Sequence, residues 1–306
     1  MVSILVPVYN AAPFLKECVA SLVGQTYTDL QIVMINDGST DGSLDIMQEL
    51  AHQDKRIEIY SKPNGGVAST RNQLLGKVRG DWVLFVDSDD WIELNTVEVL
   101  LKEQADGDYD IVAYKMKGLS TGRKIHYNQE QAIRHFLEHT SFRGSLCDKL
   151  IRSSLFEKLL FDENVSYGED ALMVWNVLQR VKNVSVLDMA MYHYRVNANS
   201  LSRQKFNGKK FSAHIVWDSI CCDTDEMWPQ YSDIAHARFA CEMTQILKSA
   251  AASDHRHDSS IALLQEEVRR DGHLISRTGI SSRKMSQFAW LVSRCYWLAR
   301  FVAKKV

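Results

Sequence analysis

Over the first 115 residues, strand-like apolar runs alternate with segments whose apolar residues recur at helical spacing. Val2–Tyr9, Leu30–Ile35, Arg56–Tyr60, Trp82–Val86 and Ile111–Lys115 read as strands. Most are continuously apolar, the pattern of strands covered on both faces of a parallel sheet. Between them lie Ala12–Gln25, with Pro13 in its first turn and Phe14, Cys18 and Leu22 on one face, then roughly 42–53, Val67–Lys77 and Leu94–Gln104. This β-α-β repetition predicts an α/β fold with a doubly wound, mostly parallel sheet. Right-handed crossovers then bring the carboxyl ends of the strands to one rim, where open α/β sheets bind ligands.

From about Gln129 to Leu160 the pattern is mixed. Gly168-Glu169-Asp170 opens a helix with Leu172, Trp175, Val177 and Leu178 on its apolar side, and Val184–Leu187 and Met191–Tyr194 read as short strands. Beyond Phe206 the periodicity is helical, near 209–222, 229–252, 258–271 and 283–304. The sequence therefore predicts a sheet domain over 1–205 and a helical C-terminal region over 206–306.

Charge sharpens this division. The net charge of -2 argues against a nucleic-acid partner, yet residues 206–306 carry 14 Lys+Arg against 11 Asp+Glu, and after Asp271 seven basic residues meet no acid. Such a basic segment points to an anionic partner. The six cysteines show no CxxC or zinc spacing, which favours a reduced cytoplasmic protein. No signal peptide is expected at the first strand, and no run approaches the ~18 apolar residues of a spanning helix.

Candidate chemistry concentrates at Asp87-Ser88-Asp89-Asp90, where an apolar strand ends in three carboxylates within four positions. Crowded carboxylates repel unless a cation joins them, and hard ions such as Mg²⁺ or Mn²⁺ choose oxygen ligands and bridge to phosphates. The competing reading is a polar strand-to-helix turn with Asp89 or Asp90 as N-cap. On the same rim, Pro7-Val8-Tyr9-Asn10 ends the first strand and Asp37-Gly38-Ser39-Thr40-Asp41 the second. Tyr9 offers a stacking face for a base, and Asp37 an acceptor for a ring N–H. Asp41 is open between ligand and helix cap. Asn64-Gly65-Gly66 precedes a helix, so its amides suit an anion, but its spacing is neither a Walker loop nor a dinucleotide fingerprint. Arg71 in that helix is a surface ion-pair partner or a reader of phosphate. Glu169 and Asp170 stand in a first turn, where acids complement the helix dipole, or one of them is a general base.

Taken in order, Pro7-Val8-Tyr9-Asn10, Asn36–Asp41, Asn64-Gly65-Gly66 through Arg71-Asn72, Asp87-Ser88-Asp89-Asp90, Gly168-Glu169-Asp170 and Tyr192–Arg195 with Ser200 and Ser202-Arg203 resemble the family 2 glycosyltransferases of the GT-A fold. The resemblance implies a nucleotide-sugar donor, most often a UDP-sugar, held by Pro7, Tyr9, Asp37, Arg71, Ser88 and Arg203. It assigns Asp87 and Asp89 to a Mn²⁺ or Mg²⁺ on the diphosphate, Asp89 the more direct ligand. Asp170, with Glu169 beside it, matches the base of inverting members. His193 is either near the metal or a half-buried strand residue. The absence of a Gln-x-x-Arg-Trp motif and of spanning segments implies addition of a single sugar to a glycan or lipid-linked acceptor in surface polysaccharide synthesis. A sugar nucleotidyltransferase would need a glycine-rich basic loop where Asn10-Ala11-Ala12-Pro13 stands. A third reading is a silent nucleotide- or glycan-binding protein.

The 283–304 segment places Phe288, Leu291, Val292, Cys295, Leu298 and Val302 in one stripe, with Trp290 and Trp297 nearer Arg294, Arg300 and Lys304. It reads as an interfacial helix on the inner face of an anionic membrane, or as a stripe packed internally or against a second copy.

Overall fold

The computed structural model describes residues 1–116, 118–195, 206–253 and 259–303. The chain forms two compact units, Met1–Phe136 with Ser141–Glu163 and Met173–Val196, and Leu137–Thr140 with Asn164–Leu172 and Asn197–Val306. The division is therefore not a single cut near residue 205.

The elements up to residue 195 are β1 (Val2–Val8), α1 (Ala12–Val23), β2 (Leu30–Asp37), α2 (Ser43–Gln53), β3 (Ile57–Lys62), α3 (Gly66–Leu75), β4 (Trp82–Phe85) and β5 (Trp91–Ile92). Then come α4 (Thr96–Gly107), β6 (Ile111–Lys115), β7 (Lys124–Asn128), α5 (Gln129–Leu137), β8 (Lys149–Arg152), α6 (Glu169–Leu178), β9 (Asn183–Ala190) and β10 (Tyr192–His193). Eight strands make one sheet in the order β3-β2-β1-β4-β8-β6-β9-β7. β1 to β4 run parallel, with Val8 opposite Asn36 and Leu5 opposite Phe85, so the ends of β1, β2 and β4 share a rim. All eight residues of β2 are buried. Each large apolar side chain so covered contributes roughly 1.5–3 kcal/mol, which fixes the register from which the rim loops emerge.

Two strands run against the rest. β8 lies antiparallel between β4 and β6, and β7 closes the far edge antiparallel to β9. Periodicity hides β8 because Lys149 stands in it, fully buried, its ammonium donating to the Ser145 carbonyl at 2.7 Å and to Asp148 at 2.5 Å. A buried charge is tolerated when it is paired in this way.

The second unit contains α7 (Ala213–Met227), α8 (Ser232–Ala252), α9 (Ser259–Asp271), α10 (Leu274–Thr278), α11 (Arg283–Arg294) and α12 (Tyr296–Ala303). α8 is the central helix, packed by each of the other five. Three helices meet at His236, whose ring nitrogens face Asp271 at 3.0 Å and Asp225 at 3.1 Å. The hydrogen bond to Asp271 raises the imidazole to a pKa of about 9, against burial and with help from Asp225.

The expected single helix over 283–304 is instead two. Gln265 donates to the Val292 carbonyl and Arg269 to that of Ser293, each at 2.8 Å. Those carbonyls would accept from Tyr296 and Trp297 in a continuous helix, so α9 side chains end α11 and the chain turns at Cys295 (φ -133°, ψ 64°). The expected stripe is also corrected. The covered face is Ala289, Val292, Ser293, Tyr296, Ala299 and Ala303, while Leu298 and Val302 are exposed. Small residues on that face suit close approach to the alanine-rich α8, whereas bulk alone misdirects a reading of the stripe. Among the described residues no helix is long and apolar enough to cross a membrane.

Candidate functional site

The acids after β4 do not cap a helix, which overturns that alternative. The Asp90 amide donates to the Asp87 carbonyl at 3.0 Å, and the tight turn leads into β5, paired with β10. α4 begins only at Thr96. Asp87 is partly exposed and faces the buried Arg71 guanidinium at 3.5 Å. Asp89 is held above the usual carboxylate range by burial and by the negative charge of Asp87. Ser88 between them is buried.

Asp90 performs a different task. It is 1% exposed, accepts from the Tyr192 hydroxyl and from the Arg195 amide, both at 2.7 Å, and burial pushes it up to about 7. The Tyr192 oxygen accepts in turn from the Asp87 amide at 3.2 Å. The Arg195 guanidinium donates to the Asp89 carbonyl at 2.9 Å and pairs with Glu17, while lying over the Trp91 and Phe14 rings. These three residues fix the turn that presents Asp87 and Asp89. Sequence reading offered Asp90 only as a helix cap and Tyr192 and Arg195 only as part of the family resemblance, because the partners they brace lie about a hundred residues away.

On the neighbouring strands, Pro7 is half-buried within β1 and Tyr9 follows it at 53% exposure, leaving its ring face available. Asp37 ends β2 at 4% exposure and accepts from Lys62 (2.5 Å), Gly65 (2.8 Å) and Gly66 (3.0 Å). The anion held by the Gly65-Gly66 amides is therefore Asp37 itself. A carboxylate offers about four acceptor positions, so one is left for a further donor. Gly38 makes the turn possible, with φ +66° and an added Cβ only 2.6 Å from the Asn64 amide nitrogen. Lys62 was missed by sequence reading, although it stands opposite Asp37 in the β2–β3 register.

Asp41 braces two helix starts, accepting from the Ala12 amide at 3.1 Å and from Ser43, and these bonds hold it below its usual range despite burial. His193 stacks on Trp91 at 5.0 Å, with Nε2 2.6 Å from Glu93, as a structural strand residue would. Glu169 and Asp170 occupy the first turn of α6, both half-buried, within the stretch grouped with the second unit. Arg203, Ser200 and Ser202 lie outside the described residues.

The two carboxylates would offer a hard cation oxygen donors, and the repulsion between Asp87 and Asp89 is what such an ion would relieve. Among the described residues no group of three His, Cys, Asp or Glu side chains is placed to hold a metal. An ion here would thus take its remaining ligands from water and from phosphate.

The sequence model of Glycosyl transferase family 2 matches residues 3–160. The chain belongs to this family. It is 34% identical over 217 residues to the uncharacterized glycosyltransferase EpsJ of Bacillus subtilis, covering 66% of this chain and 63% of that one. It is 30% identical to the minor teichoic acid biosynthesis protein GgaB of the same organism, over 70% of this chain and 25% of GgaB. Across the first three curated relatives the chain spans 31% to 66% of their lengths. Its fold is GT-A. The S. aureus TarS 1-349 structure with UDP-GlcNAc superposes with a TM-score of 0.67 at 20% identity, over 99% of this chain and 90% of that one. The Pyrobaculum calidifontis mannosyltransferase PcManGT, solved with GDP-Man and Mn²⁺, gives 0.62 at 17%, over 99% and 86%.

Proposed function

We propose that the protein transfers one sugar from a UDP-sugar to a glycan or lipid-linked acceptor in surface polysaccharide synthesis, with inversion. The observation carrying this reading is the braced Asp87–Asp90 turn at the end of β4, beside the buried Arg71. Carboxylates held together at a sheet's ligand rim, by a network that fixes their backbone, suit charge stabilisation at a diphosphate. The nucleotide complexes of TarS and PcManGT, and the Mn²⁺ of the latter, support a metal-assisted nucleotide-sugar donor. The name of GgaB supports a surface-glycan acceptor.

Tyr9 stacks on the base, and the remaining acceptor position of Asp37 takes its ring N–H. Arg71 pairs with Asp87 and orients it, and Arg203 adds positive charge at the diphosphate. Asp89 and Asp87 would hold a divalent ion, which when bound would neutralise the charge that builds on the leaving diphosphate. Asp170, aided by Glu169, removes the acceptor hydroxyl proton as that oxygen attacks the anomeric carbon from the face opposite the leaving group. Direct displacement of this kind inverts the anomeric configuration.

The test is nucleotide release from a panel of UDP-, GDP-, dTDP- and CMP-sugars with Mn²⁺, Mg²⁺ or EDTA, beside Asp89→Ala and Asp170→Asn. Metal-dependent hydrolysis of one donor, abolished by Asp89→Ala, names the sugar class. Asp170→Asn is expected to lower turnover about a hundredfold or more while donor binding persists. Neither turnover nor metal-dependent nucleotide binding across the panel would end the transferase reading.

A further inference from the structure

The outward face of α11 and α12 combines bulk and charge in a way the catalytic reading does not use. Trp290, Trp297 and Phe301 are 59%, 63% and 68% exposed, and Leu298 and Val302 are exposed beside them. α12 packs on α8 and α11 on α8 and α9, and the residues they bury are Ala289, Val292, Ser293, Tyr296, Ala299 and Ala303, so the exposed aromatics lie off the covered face. Trp297 and Phe301 stand one helical turn apart, as do Leu298 and Val302. The same two helices carry Arg283, Lys284, Arg294 and Arg300 and no acid. The Arg294 guanidinium lies 5.4 Å from the Trp290 ring centre, which puts positive charge at the level of the indole. Arg283 and Trp290 also line one open groove with Ser276, Ser286 and Gln287.

We infer that this face docks onto an anionic phospholipid surface. Tryptophan suits the boundary between headgroups and acyl chains, because its ring is apolar and its N–H polar. Arginine beside it meets lipid phosphate, each basic group adding attraction at a negatively charged leaflet. A second copy is the weaker occupant. A twofold contact sets a patch against itself, and this patch would oppose arginine to arginine with no acid of either helix between them. The inference does not depend on the catalytic reading.

The full chain is sedimented with vesicles of phosphatidylcholine alone and with added phosphatidylglycerol, at low and raised salt. Expected is binding to the anionic vesicles that salt weakens, and loss of about tenfold or more in affinity in both Trp297→Ser/Phe301→Ser and Arg283→Gln/Arg294→Gln. Circular dichroism and Tm show that the variants fold. Wild-type tryptophan emission quenched by brominated lipid reads the same contact without a variant. Absence of wild-type binding, or equal binding by the variants, overturns the inference. So does a dimer in analytical ultracentrifugation that Trp297→Ser/Phe301→Ser dissolves, since the face would then join two copies.

Discussion

Replacing His236 by glutamine removes a charge that three helices share while keeping a polar side chain of similar reach. In the folded protein the imidazole titrates near 9 instead of its ordinary 6.5, chiefly through Asp271. At about 1.4 kcal/mol per pH unit, that difference amounts to about 3 kcal/mol unscreened. The His236 side chain is 22% exposed and that of Asp225 48%, so solvent screening reduces the working figure to about 1–2 kcal/mol. The sign follows from proton counts. Between 6.5 and about 9 the folded state binds more protons than the unfolded one, so stability falls as pH rises through this window. The contribution is complete below 6.5 and gone above about 9. The thiols of Cys221 and Cys241, both pushed up by burial, are common to the two proteins and cancel in the difference between them. Urea unfolding of wild type and His236→Gln across this range should give a difference of about 1–2 kcal/mol at the acidic end, shrinking toward zero at the alkaline end. A difference that stays constant with pH, or grows, would refute the ion-pair account and leave only lost packing.

Other outcomes follow from the rim. Lys62→Met leaves Asp37 buried without its cation and is expected to cost about 2–4 kcal/mol in urea unfolding, with weaker nucleotide binding by calorimetry. Adding Asp37→Asn should recover part of the stability but not the binding. Gly38→Ala forces a Cβ to 2.6 Å from the Asn64 amide nitrogen at a φ of +66°, an expected loss of about 1–3 kcal/mol visible as a lower Tm. Tyr192→Phe removes the hydroxyl that joins Asp90 to the Asp87 amide. It should cost about 1–3 kcal/mol and raise the metal concentration needed for donor hydrolysis; an unchanged metal requirement would remove the positioning role.

Much of the site is readable before folding because its parts sit at the ends of strands. Tyr9, Asp37 and Asp87 each follow an apolar run, and parallel crossovers bring such ends together whatever the loop lengths. The acids of 87–90 are visible as a cluster, but their division of labour is not. Asp90 is distinguished from Asp89 only by Tyr192 and Arg195, which β10 brings up alongside β5. The glycines at 65 and 66 read as an external anion site, and Asp37 occupies it from the end of β2, three elements earlier. β8 escapes notice because a lysine interrupts its apolar pattern, and only partners outside the strand, Asp148 and the Ser145 carbonyl, make that lysine acceptable in the sheet.

The sequence by itself determined the α/β class, the elements that build the rim and the chemical types gathered there. These depend on local periodicity and on the handedness of β-α-β units, both written in short stretches. Tertiary structure alone decided which carboxylates are braced, which amides are already filled and where α11 stops. It also decided that Trp290, Trp297 and Phe301 face outward while the alanines of α11 and α12 are covered. Burial and pairing are properties of what arrives from distant positions, and a single segment does not carry them.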